Sequence, residues 1–274
     1  MACDRYVAED MWQRIGAALD AVEREHGVRV LLAVESGSRA WRFPSTDSDY
    51  DVRFIYARRR ESYLSIENVR DVIEQPIDGA LDISGWDVRK ALQLMVRSNA
   101  TLMEWLSSPV RYRAADEAAA RLLKFASRSC HLRALAYHYD RLARRSFTEI
   151  ESSDGEVSLK TYCYAIRPAL ALLWMRRHGR PPPMDLPSLE RGVATADVVR
   201  RAIADLVERK AAATEQDTTA RIPALDAFLA GALFEWVDRP VLSDRSAVVA
   251  QANALFAAMV LGEASAAADG RSSG

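Results

Sequence analysis

An α+β chain is predicted, with a small mixed sheet and flanking helices first and an all-helical unit after it. Three observations carry this. Short β-branched apolar runs bounded by turn residues recur up to about residue 84, with helical patterns between them. Beyond about residue 115 strand signals stop, and long stretches with helical spacing follow one another. The 274 residues amount to about two domains at ~150 residues each, and 49% apolar with 27% charged residues suits packed globular domains.

In chain order, residues 7–26 repeat Met11, Ile15, Leu19 and Val22 at helical spacing, and Gly27 ends that helix. "VRVLLAVES" (28–36) is too short and too β-branched for a helix and reads as a buried strand. Gly37-Ser38 turn into a short helix that Pro44 stops. "SDYDVRFIYA" (48–57) is a second strand, "NVRDVIEQ" (68–75) a third, and "GALDIS" (79–84) a fourth after an Asp-Gly turn. Asp87 is placed to cap a helix over 87–98. Helices are then expected at 115–129, 131–151, 157–178, 196–212, 223–237 and 244–261, with Pro181-Pro182-Pro183 as a rigid connection. The small, polar tail 263–274 has nothing to bury and is expected to be disordered. The division implied is 1–114, 115–262 and 263–274.

Charge and cysteine content exclude several classes. A net charge of −1 supplies no global attraction to nucleic acid or membrane. The basic clusters at Arg58-Arg59-Arg60, Arg141 to Arg145 and Arg176 to Arg180 read as solvated helix ends and loops. Cys3, Cys130 and Cys163 are scattered without a metal-binding or disulfide pattern. No apolar run reaches ~18 residues and the N-terminus lacks a signal-peptide layout, so a soluble, cytoplasmic protein is expected.

The chemistry concentrates in "ESGSRAWRFPSTDSDYDVRFIY" (35–56). On a strand, Asp49 and Asp51 project to one side. Two carboxylates ~4 Å apart repel by roughly 4 kcal/mol at an effective dielectric near 20. Either one takes a proton or a cation sits between them. Oxygen ligands without His or Cys select Mg²⁺ or Mn²⁺ over zinc. The alternative is a solvated Asp-rich turn with Asp47 and Ser48 capping the loop. Two neighbours favour the cation. Gly37-Ser38 lets backbone approach a ligand and offers amides to phosphate. Asp82, in the apolar "ALDIS", is costly to bury unpaired, and its alternative is a pairing with a buried arginine. Turn and cap chemistry already account for Asp78 and Asp87.

This set of Gly-Ser, Asp-x-Asp and a third Asp resembles the nucleotidyltransferase superfamily of DNA polymerase beta type. More closely, the segment above, with "LDISGWDVRKAL", "NATLMEWLSSPVRY" and "KTYCYAIRPALALLW", is similar to the RlaP family, named for RNA-repair pathways, from about residue 10 to 240. Arg42 stands where the pattern "GSRAWG" has glycine, and Ala100 where proline is expected. The resemblance implies a polymerase-beta-like catalytic domain that binds an NTP–Mg²⁺ complex, transfers the nucleotidyl group to a hydroxyl and releases pyrophosphate. It implies Asp49 and Asp51 as ligands of two metals. Asp82 would be a ligand of the catalytic one and the proton acceptor, with Ser38 and the amide around Gly37 on the β- and γ-phosphates.

Lys160, Tyr164 and Arg167 fall on one face of the 157–178 helix. They read either as a solvated face or as a wall over the triphosphate, and Arg39 and Arg53 are further phosphate candidates. The histidines and the helical Trp and Met residues, Trp236 among them, are expected to be structural. The acceptor is left among an RNA 3′ end, a protein side chain and a small hydroxyl compound. The competing readings are a non-catalytic module binding nucleotide or RNA ends, and a toxin–antitoxin-type nucleotidyltransferase that modifies a protein partner.

Overall fold

The computed structural model describes residues 6–261 apart from 68, 115, 236 and 239–243. Cys3, Trp236 and the expected tail therefore lie outside the described residues.

A five-stranded mixed sheet organises the first part of the chain. Its strands are β1 (Val28–Ser36), β2 (Tyr50–Arg58), β3 (Val72–Glu74), β4 (Leu81–Asp87) and β5 (Arg111–Ala114), in the order β3-β4-β2-β1-β5. Only the central β2–β4 pair is parallel, and the other pairs are antiparallel. The helices between them are α1 (Glu9–His26), α2 (Gly37–Trp41), α3 (Arg60–Leu64), α4 (Val88–Val96) and α5 (Ala100–Ser107). As expected, Gly27 caps α1 in the left-handed region, and Asp87 caps α4 by accepting from Arg89 N.

The unbroken apolar run of β1 follows from a sheet covered on both faces. On one face Val30, Ala33, Val52, Phe54 and Ile83 pack against Ile15, Leu19 and Val22 of α1. On the other, Leu32, Val34 and Ile55 pack against α4 and α5. Two later helices complete that face, α6 (Asp116–Ser129) through Leu122 and Phe125, and α12 (Ser246–Leu261) through Ala252. Periodicity placed both in the C-terminal unit. It marks a helix but not the surface that buries it, and here the sheet's second face takes them.

The separate helical core is centred on α8 (Leu159–His178), which is buried on most of its surface and runs through Pro168. Around it pack α7 (Leu132–Glu151), α9 (Leu186–Gly192), α10 (Asp197–Ala212) and α11 (Pro223–Ala232). A two-stranded sheet, β6 (Glu156–Ser158) with β7 (Thr218–Ala220), closes one end. Strand β5, "RYRA", carries no apolar run and is legible only as a partner of β1. Cys130 and Cys163 are free thiols. Among the described residues no helix is long and apolar enough to cross a membrane.

Gly85 sits opposite Phe54 in the β2–β4 register, and a Cβ there would lie 2.2 Å from the Phe54 ring. The ring is fully buried and has nowhere to go. Gly85→Ala should therefore cost about 1–3 kcal/mol in urea unfolding, an overpacking penalty. A variant as stable as the parent would show that this core yields freely.

Candidate active site

The site is assembled by strand register. Strand β1 ends at Ser36, directly opposite Asp51 on β2, and Asp51 in turn lies opposite Asp82 on β4. The turn after β1, Asp51 and Asp82 thus line up across three adjacent strands. Gly37 is required there for two reasons. Its φ is 66°, and a Cβ would stand 2.2 Å from Asp51 Oδ2. Ser38 follows on α2, nearly buried, and its carbonyl accepts from Phe43 N. Asp49 precedes β2 and is exposed.

Arg53, two residues along β2, answers the carboxylates. Its Nη2 lies 3.0 Å from Asp51 Oδ1 and 2.7 Å from Asp82 Oδ2, and its Nη1 donates to the Asp82 carbonyl at 3.1 Å. The arginine pairing considered for Asp82 is thus present, shared with Asp51. It does not balance the charge. Burial first, then repulsion from Asp82, Asp49 and Glu215, hold the Asp51 carboxyl above its ordinary value despite Arg53. Among the described residues no three His, Cys, Asp or Glu side chains already stand in a metal-holding group. The donor set nonetheless fits a hard dication. It offers carboxylate oxygens alone, and their mutual repulsion favours a bound cation.

Beneath Asp51 lies Glu35, completely buried at the end of β1. Its Oε1 accepts from Asp51 N at 2.9 Å, its Oε2 accepts from the Tyr112 hydroxyl, and its carbonyl accepts from Ser108 Oγ at 2.6 Å. Desolvation raises its carboxyl to about 8, against the smaller opposing effect of its hydrogen bonds. Its sequence signal was a carboxylate closing an apolar strand, the same signal that singled out Asp82.

The helical unit contributes from across the site. Lys160 Nζ is ion-paired with Glu215, and Tyr164 packs edge-on against Trp41 of α2 with centroids 5.2 Å apart. Burial, followed by opposing influences from Lys160, Glu215 and Asp51, raises the Tyr164 hydroxyl. Lys160 and Tyr164 therefore stand close enough to Asp51 to feel its charge. Arg167 does not present its charge to the site. It is 3% exposed, donates to Glu104 at 2.7 Å and to the Met184 carbonyl at 2.9 Å, and lies 4.5 Å over the Trp41 ring. Arg39 is a brace as well. It donates to the carbonyls of Tyr6, Ser48 and Asp49 and stacks 3.7 Å over Tyr50, holding the loop that bears Asp49. Sequence reasoning missed Glu215, which sits in a turn after α10 with no local signature.

Both departures from the family pattern are sterically explained. Arg42 is the α2 C-cap with φ 72°, a left-handed position that favours glycine, and its guanidinium stacks over Tyr6. Ala100 is the first residue of α5 after the Asn99 cap, a position where proline also fits.

The family model described as "RNA repair pathway DNA polymerase beta family", RlaP, matches residues 11–258. The uncharacterized protein YcgL of Bacillus subtilis (strain 168) is 45% identical over 219 residues, covering 80% of this chain and 84% of its own. A solved nucleotidyltransferase-like protein from Exiguobacterium sibiricum 255-15 aligns over 90% of this chain and 78% of its own at 14% identity. The TM-score is 0.29, too low for it to bear on fold or function.

The buried Glu35 predicts a pH dependence. Its folded pKa, about 8, lies above the ordinary 4.5 of the unfolded chain, so between these values the native state keeps a proton that the unfolded state has lost. Its contribution is whole below about pH 4.5, falls as pH rises towards 8, and is level above. In chelator, stability should drop between pH 5 and 9 by on the order of 4 kcal/mol more in the parent than in Glu35→Gln. Equal drops in urea unfolding would mean that Glu35 is ionised in the folded protein throughout.

Proposed function

The chain belongs to the RNA repair pathway DNA polymerase beta family, and on that premise we propose that it transfers a nucleotidyl group from a nucleoside triphosphate to a hydroxyl, releasing pyrophosphate. The observation that carries the reading is the register that sets Asp51 beside Asp82, next to a turn whose Gly37 leaves Asp51 Oδ2 room.

Asp49, Asp51 and Asp82 would hold Mg²⁺ or Mn²⁺, which when bound neutralises charge on the attacking and leaving oxygens. The acceptor hydroxyl oxygen bonds to the α-phosphorus, and the bond from that phosphorus to the β-bridging oxygen breaks. Asp82 takes the hydroxyl proton, and the electron pair leaves with pyrophosphate. Ser38 and the amide around Gly37 are assigned to the β- and γ-phosphates, beside the aspartates. Lys160 and Tyr164 face them from α8, supplying charge and a ring edge. Arg53 keeps Asp51 and Asp82 in register, and its contacts to the Val52 and Asp82 carbonyls anchor it independently of the carboxylates. Arg167 and Arg39 serve by holding α2 and the 48–49 loop in place. The acceptor we assign is an RNA end, on the family description alone.

The test is incubation of the full chain with each α-labelled NTP, Mg²⁺ or Mn²⁺, and total RNA or total protein. Label in RNA is the expected outcome. Label in protein moves the acceptor to a partner side chain, and no label in either overturns the RNA-end assignment and weakens the enzymatic reading. Asp82→Asn should keep its fold, because Arg53 retains Asp51, and should still bind NTP. Its transfer rate should fall by about 10²–10⁴. A rate within about threefold of the parent would remove Asp82 from the chemistry.

A further inference from the structure

The turn between α10 and β7 delivers a carboxylate that the aspartate motif does not include. Glu215 accepts from Ser48 Oγ at 3.3 Å and pairs with Lys160 Nζ, while its main-chain N–H donates to Asp47 at 3.0 Å. Thr46 N and Oγ1 donate to the Ala213 carbonyl at 3.1 and 2.9 Å, and Lys210 Nζ reaches Ser45 Oγ. The loop carrying Asp47 and Asp49 is thus zipped, residue by residue, to the turn carrying Glu215.

This places Glu215 where its charge adds to that of the aspartates. It repels Asp51, which already faces Asp49 and Asp82. What holds it there is Lys160, whose ammonium is kept above its ordinary value first by the hydrogen bond to Glu215. The pair is partly exposed, with side chains 41% and 32% accessible, so an incoming anion can reach it.

We propose that Glu215 is an internal counter-anion, occupying on Lys160 the seat that a phosphate of the triphosphate takes. Binding then exchanges one anion for another, and the displaced carboxylate withdraws from Asp51. Glu215 sets how much phosphate charge a ligand must bring. Monophosphates compete poorly with a tethered carboxylate, whereas a triphosphate carrying its own dication also relieves the aspartates. This deepens the nucleotidyl-transfer reading and rests on it for the identity of the anion.

The opposite role, Glu215 as a further ligand of the dication, predicts the opposite sign, so one substitution separates them. Glu215→Gln keeps the volume and an oxygen for Ser48 but removes the charge. Inorganic tripolyphosphate with excess Mg²⁺ is the probe, since it carries the anion without a base, and calorimetry on the full chain reads its affinity. A partly exposed ion pair is worth little, so the expected gain is about three- to tenfold tighter binding. Glu215→Ala should show the same gain should the Gln amide still engage Lys160. The gain should vanish in a Lys160→Gln background, which a general change in field would not produce. Equal or weaker binding by both Glu215 variants overturns the proposal, as does a gain that survives without Lys160, or no binding by any variant. Label transfer by the parent protein is scored separately. Transfer without the gain leaves the nucleotidyl reading standing and removes Glu215 from it. The gain without transfer keeps the anion seat and removes the reading.

Discussion

Two carboxylates set side by side across the parallel β2–β4 strand pair must be compensated, and much of the molecule is arranged around that need. The β2–β4 register places Asp51 and Asp82 together, and Arg53 reaches both from two residues along β2. One guanidinium suffices to keep the strands paired. It is not enough to silence the charge, because Asp49 and Glu215 add to it and burial amplifies it. A fold that only needed the strands joined would place an apolar pair here. On the proposed reading, the retained imbalance is a device for binding cations.

Support for that device comes from beneath and beside it. Glu35 anchors the Asp51 amide from the interior, and Arg39 ties down the approach to β2 through three carbonyls. The helical unit is joined to the same point. Trp41, on the short helix after Gly37, is covered by Arg167 and Tyr164, and Arg167 continues through Glu104 to Tyr139. The turn after α10 meets the 45–48 loop through Glu215 and Thr46. The aspartates and the packing between the two cores therefore share a few bridging residues.

Much of the fold was legible because it rests on local physics. The β-branched runs became β1, β2 and β4, Gly27 and Asp87 stopped and started helices, and the long periodic stretches became helices within a few residues of the expected bounds, the last turns of 223–237 excepted. Strand β5 was not legible, since "RYRA" has no apolar signature and exists by pairing with β1. The covering of the sheet by α6 and α12 was not legible either. An amphipathic stripe states that a helix must be buried, and several surfaces could have met that requirement.

The candidate site divides along the same line. By itself the sequence determined that Asp49 and Asp51 flank one strand entrance, that Asp82 interrupts an apolar strand, and that a glycine precedes them. Period-two geometry and the cost of burying charge are properties of a short segment. Only the tertiary structure decided which charges meet. Lys160 and Arg167 share a helix face, yet Lys160 pairs with Glu215 within the influence of Asp51, while Arg167 is enclosed by Glu104, Met184 and Trp41. Glu35 and Glu215 entered the site from opposite sides, the second from 164 residues beyond Asp51 along the chain. Pair energies between charges depend on separation and burial in space, and those are set by how the two cores dock, not by spacing along the chain.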